Sequence, residues 1–188
     1  TKTMRTKWIV FASLILGALS VASCVDPDQT QEVILQRDKE AIEKYISENA
    51  LPNAKEYSEP VEGFYMFWEV STDPEVNSLL RSDTVRVNYT GKMLNNQVFD
   101  SSIEQVAKDN GIYNSTRTYQ PLKFPIGVGY AITGFEFALS LMRAGEKAIV
   151  IFPSRLGYGN QPQGNIPANS PLVFELNLID VKLGPNHL

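Results

Sequence analysis

The chain has 188 residues, 43% of them hydrophobic and 20% charged, which is ample for one globular domain and an appendage. Its net charge of −4, with no Lys/Arg cluster beyond the N-terminus, argues against nucleic acid as a partner, since phosphate binding needs a basic face. One cysteine (Cys24) and one histidine (His187, beside the C-terminus) argue against a disulfide, a cysteine zinc cage, a Ser-His-Asp triad or a His-ligated metal, so no metal or cofactor is expected.

Met4 reads as the natural start. Lys2, Arg5 and Lys7 precede an uncharged apolar run, Trp8–Val21, which matches a secretory signal. The run ends Val21-Ala22-Ser23-Cys24, which resembles a bacterial lipoprotein site, and this implies cleavage after residue 23 and acylation of Cys24. The alternative is an uncleaved transmembrane anchor. The lipoprotein reading places the chain in the bacterial cell envelope, lipid-anchored at the outer membrane, on its periplasmic or surface side. Residues 1–23 are then the signal peptide, 24–59 a tether with a helix, and 60–188 the working domain.

Val25–Gln31 is polar, and Leu35, Ala41, Ile42, Tyr45 and Ile46 space an amphipathic helix over Glu32–Asn49. That helix either packs on its own domain, spaces the domain from the membrane, or forms a homodimer contact through residues 32–49. Lys55–Pro60 breaks the pattern. Beyond it, strands are expected at Gly63–Val70, Asp83–Leu94, Gln120–Ile126, Glu146–Phe152 and Leu172–Leu183. Asn95-Asn96 makes a hairpin turn, and the return arm puts Phe99 directly beside Asp100. Thr133, with Glu136 three residues on, caps a short helix whose stripe is Phe135, Ala138, Leu139 and Met142, and Gly145 ends it. The expected fold is α+β: an antiparallel five-stranded half-barrel wrapped around one helix. Ile103–Tyr119 is a long polar loop.

Gly127-Val128-Gly129 is no dinucleotide fingerprint, because the third glycine position falls at Ile132 and no Lys-Ser/Thr follows. The acids form no recognisable catalytic pair. Short apolar stretches with polar tips remain: Tyr89, Phe99-Asp100, Ala131-Ile132 with Phe135, Tyr158, Ile166 and Phe174. Phe99 and Asp100 are adjacent in a strand and point to opposite faces unless the strand ends or bulges there.

VNYTGKMLNNQVFDSS, PLKFPIGVGYAITGFEFALSLMRAGEKAIVIFPSRLGYG and GNIPANSPLVFELNLIDV resemble, in that order, the FKBP-type peptidyl-prolyl isomerases. The resemblance implies an apolar pocket between sheet and helix, with Asp100, Tyr158 and Phe99 catalytic and Tyr89, Leu122, Ala131, Ile132, Phe135, Ile166 and Phe174 binding substrate. It implies proline-containing polypeptides as substrates, macrolides such as rapamycin as ligands, and a role in folding envelope proteins. The family usually has Trp where this chain has Phe135, an aromatic at Leu122 and valine at Ala131. Arg117 is expected to pair with Asp100. The rival readings are a non-catalytic proline-binding chaperone or assembly module, and a structural lipoprotein.

Overall fold

The computed structural model describes residues 30–72 and 78–187. The leader expected at 1–23 and Cys24 lie outside the described residues. Among those described, the strands are β1 (Lys55–Glu59), β2 (Phe64–Val70), β3 (Thr84–Met93), β4 (Val98–Ser101), β5 (Leu122–Pro125), β6 (Lys147–Phe152) and β7 (Leu172–Lys182). They form one antiparallel sheet in the order β1-β2-β6-β7-β3-β4, and β5 pairs with the Thr84–Val87 end of β3. The helices are α1 (Gln31–Glu48), α2 (Glu104–Asp109) and α3 (Thr133–Ser140).

The expectation of α+β with an antiparallel sheet holds, but the strands number seven and not five. β4 is the hairpin's return arm, paired with β3. β1 falls where the sequence reads as a break, because Tyr57 is its one apolar residue. It is an edge strand, and charges on an edge are compatible with pairing on one side only. The sheet therefore begins at Lys55, inside the stretch read as tether. The loop expected at Ile103–Tyr119 contains α2, which has six residues and buries only Ala107, too little to produce a readable period.

α3 also differs in its caps. Ile132, not Thr133, is the N-cap, and it makes no side-chain bond. The Glu136 carboxylate instead accepts from the N–H groups of Gly127 and Ala131, both at 2.9 Å, so it ties the preceding loop to the helix. Leu141 ends the helix, and Gly145, at φ +89°, donates its N–H to the Leu178 carbonyl at 2.7 Å on the way into β6.

Two helices sandwich the sheet. On its inner face Phe135, Ala138, Leu139 and Met142 of the α3 region pack against Trp68, Val87, Val150, Phe152, Leu172 and Leu178, all within the main core. A Cβ at Gly134 would stand 2.6 Å from the Phe152 ring, so glycine is what lets α3 sit this close. On the outer face Ile42 and Tyr45 of α1 cover Phe67, Ile151 and Val173. Ile42 is completely buried, which contributes ~1.5–3 kcal/mol to docking the helix. The Tyr45 hydroxyl donates to Asn96 Oδ1 at 2.9 Å, in the β3–β4 turn where Asn96 takes φ +64°. This apolar stripe is used within the chain itself, so the packing alternative for α1 prevails over the homodimer contact.

Glu146 is the most heavily bonded buried acid. It accepts from the Trp68 indole and the Arg143 N–H at 2.9 Å and from the Thr72 N–H at 3.0 Å. Burial alone would push its carboxyl up, but the Thr72 and Arg143 amides and the indole more than offset this and lower its pKa. Its contribution is then full above the ordinary carboxylate range and lost as pH falls through the lowered value. Glu146→Gln, which turns an NH₂ toward these donors, is expected to cost about 1.5–3 kcal/mol. Urea unfolding should show a lower midpoint at an unchanged slope.

Candidate active site

The site starts from a fault in a strand. β3 and β4 pair Thr90 with Ser101 and Gly91 with Asp100, and the next pair is Lys92 with Val98. Phe99 is therefore the extra residue of a β-bulge, and a bulge turns a side chain away from strict alternation. Gly91 makes the room: a Cβ there would stand 2.5 Å from the tip of Phe99 and 2.9 Å from Phe174. With the ring turned inward, Phe99 and Asp100 line one cavity.

That cavity, of about 280 Å³, is lined by Tyr89, Phe99, Asp100, Leu122, Tyr130, Ala131, Ile132, Phe135, Tyr158 and Phe174. Its aromatic walls brace each other edge to face. Phe135 and Phe174 stand 5.2 Å apart at 82°, Tyr89 and Phe135 5.7 Å at 90°, and Phe99 and Phe174 5.6 Å at 83°. Phe135 and Phe174 are only 3% and 4% exposed, so the floor of the cavity is apolar and shielded from solvent. A hollow of about 370 Å³ on the outer face has apolar walls too, from Ile103, Ile149 and Leu176, but Glu69, Lys147 and Glu175 set charges among them.

Charge is confined to the rim. Tyr89 Oη donates to Asp100 Oδ2 at 2.6 Å, Arg117 Nη1 is paired with Asp100 Oδ1, and Arg117 Nη2 donates to Tyr89 Oη at 3.2 Å. Both Asp100 oxygens are thus engaged. Burial first, and then the bond to Asp100, push the Tyr89 hydroxyl far above its ordinary value, so it remains a donor at any physiological pH. Arg117 also lies over the Tyr119 ring, 5.1 Å from its centre, and Tyr119 stacks on Tyr113 at 5.6 Å. The 103–119 segment is therefore folded on itself and tied to the pocket through Arg117.

Tyr158 differs from Tyr89. Among the described residues its hydroxyl bonds to no protein group, although it lines the same cavity. Burial and the neighbouring Asp100 charge raise its pKa, which keeps it protonated. Ile132 stands before the first turn of α3, so its N–H lies outside the helix's own bonding.

The structure brings together every residue that the sequence assigns to the site except Ile166. Ile166 is 4% exposed within the core and lines a neighbouring cavity that shares Phe99 as a wall. Tyr130 is a lining residue that the sequence reading misses. It is 59% exposed and stacks on Phe124 at 4.9 Å, and its only sequence signal is an aromatic placed just after two turn glycines, Gly127 and Gly129, both at positive φ.

The profile of the FKBP-type peptidyl-prolyl cis-trans isomerases matches residues 77–179, over half of the chain. Among curated proteins, "FK506-binding protein 2" of Dictyostelium discoideum is 40% identical over 100 residues, covering 53% of this chain and 65% of its own length. The "Probable FKBP-type peptidyl-prolyl cis-trans isomerase" of Haemophilus influenzae is 31% identical over 151 residues, covering 80% of this chain and 55% of its own. This chain therefore spans less than two thirds of either relative. The crystal structure of FkpA from Escherichia coli matches with a TM-score of 0.56 at 27% identity, covering 80% of this chain and 60% of that one. A peptidyl-prolyl cis-trans isomerase from Pseudomonas syringae matches at 0.55 and 26% identity, covering 83% and 98%. With the ordered motifs, the bulged hairpin and the aromatic cavity, these matches establish that the chain belongs to the FKBP-type peptidyl-prolyl cis-trans isomerase family.

Proposed function

We propose that this protein isomerises X-Pro bonds in the cavity above Phe135, and that it does so in the bacterial cell envelope, held by a lipid on Cys24. The observation that carries the catalytic reading is an aromatic cavity in which the half-buried Tyr158 hydroxyl has no protein partner among the described residues.

Rotation about an amide costs ~18–20 kcal/mol because it breaks resonance. The X-Pro end states differ by only about 0.5–1 kcal/mol, so the task is to lower a barrier and needs no covalent step. In the twisted transition state the amide loses charge separation. An apolar cavity therefore solvates the planar, more polar ground state worse than the twisted one, and the difference lowers the barrier. Each ~1.4 kcal/mol of that difference is tenfold in rate.

The residues divide this work. Phe135 holds the prolyl ring, and Phe99, Ile132 and Phe174 wall it. Tyr158 Oη and the Ile132 N–H donate to substrate carbonyls. Asp100, with both oxygens engaged, acts by fixing Tyr89 and Arg117 at the mouth and by keeping Phe99 turned inward. Ala131 and Leu122 leave more open volume than the family's valine and aromatic, which favours bulkier segments beside the proline. Family membership favours this catalytic reading over a non-catalytic proline-binding module.

The natural substrates follow from the anchor: unfolded envelope polypeptides carrying proline. Lys2, Arg5, Lys7, the Trp8–Val21 run and the Val-Ala-Ser-Cys site support the leader and the lipid. Their loss removes cations and no acids, so attachment rests on the acyl chains and not on a basic patch.

Three outcomes test this reading. A proline-limited refolding assay on residues 25–188 should show a catalysed rate that rapamycin abolishes, and the absence of any enhancement would overturn it. Asp100→Val should leave the fold intact and lower kcat/KM by about tenfold or more, as expected when Arg117 and Tyr89 lose a charged partner. Mass spectrometry of the envelope fraction should find a diacylated or triacylated Cys24 N-terminus, and an intact Met4 start would reject the anchor.

A further inference from the structure

The isomerisation mechanism makes no use of Asp38, a carboxylate of α1 that is only 5% exposed. Its Oδ2 accepts twice from Ser154, from the N–H at 2.8 Å and from Oγ at 2.6 Å. Ser154 opens the 3-10 turn Ser154–Leu156, and its carbonyl accepts from the N–H groups of Gly157 at 2.9 Å and Gly159 at 2.8 Å. Those two residues flank Tyr158. All three polar groups of Ser154 are therefore engaged, with α1 on one side and both neighbours of Tyr158 on the other. The Tyr158 hydroxyl has no protein partner among the described residues, so its direction is set by the backbone of this turn and by the packing of its ring against the core.

The ionised carboxylate is held in the fold at a cost relative to its protonated form. Desolvation raises the Asp38 pKa despite both Ser154 bonds. An acid whose pKa is raised by folding weakens the fold as pH climbs through the ordinary carboxylate range, so ionised Asp38 is a burden at neutral pH. Ile42 and Tyr45 already hold α1 on the sheet.

We propose that Asp38 is a positioning residue for isomerisation: through Ser154, α1 aims the Tyr158 hydroxyl at the substrate carbonyl. The proposal rests on the donor role given to Tyr158 above. It makes the N-terminal helix part of the catalytic apparatus, although the helix lies outside the matched family segment and contributes nothing to the cavity lining.

A double-mutant cycle on the full chain tests it. Tyr158→Phe is expected to lower kcat/KM about tenfold, as for one lost hydrogen bond. Asp38→Ala is expected to lower it about fivefold, and the double variant should be no worse than Tyr158→Phe alone, because both changes remove the same interaction. Thermal unfolding establishes that each variant is folded. If the two losses multiply to about fiftyfold, or if folded Asp38→Ala is as active as the native chain, the proposal is overturned. Should Asp38→Ala fail to fold, Asp38→Asn keeps an acceptor for the Ser154 N–H. Its smaller loss, about twofold, must likewise vanish in the Tyr158→Phe background. A native chain with no isomerase activity would refute the function itself, a result distinct from either outcome of the cycle.

Discussion

One residue too many in β4 sets the geometry on which the rest of the site depends. Strict alternation would send Phe99 and Asp100 to opposite faces of the sheet, one into the cavity and one away from it. The bulge at Phe99 breaks that rule, and Gly91 across the ladder supplies the space the turned ring needs. From this follow an aromatic wall, a carboxylate at the mouth, and a place for Tyr89 and Arg117 to meet it. A rigid core face becomes a binding site through a local change in register.

Tyr89 and Tyr158, two of the three tyrosines that line the cavity, show how a site separates structure from chemistry. Tyr89 is consumed by the rim: its hydroxyl donates a hydrogen bond to Asp100 and accepts one from Arg117. Tyr158 shares the cavity and stays uncommitted, so its hydroxyl can meet a ligand. Desolvation keeps both protonated, but of these two only the unpaired Tyr158 is free to donate to a ligand. Confining charge to a network at the mouth preserves the apolar floor made by Phe135 and Phe174. Differential solvation of a twisting amide requires such a floor, because a polar one would stabilise the planar ground state.

The sheet carries this site on one face and a helix on the other. α1 covers Phe67, Ile151 and Val173 and reaches the β3–β4 turn through Tyr45 and the Tyr158 turn through Asp38. Both contacts lie close in the chain to residues that line the cavity. An element resembling a spacer in sequence is thus packed behind the active site, where it touches the two segments whose backbone geometry matters most.

Much of this was legible in the chain itself. Alternation marked β3 and β7, where apolar residues recur at period two, and a dense aromatic run marked β2. Phe99-Asp100 stood out as a polar tip beside an apolar wall, and the family resemblance, with its basic residue in this region, named Arg117 as its partner. β1, α2 and the true cap of α3 stayed hidden. A one-sided edge strand with a single apolar residue has no period to read, and a six-residue helix has too few turns to show one. The sequence by itself determined composition, core pattern and family motifs, since these depend on residue type and local spacing. Only tertiary structure decided that Tyr130 lines the cavity, that Ile166 stands behind Phe99, and that Asp38 meets Ser154 116 residues away. Those facts depend on which surfaces meet once the sheet has closed over α3, and local spacing carries no record of that.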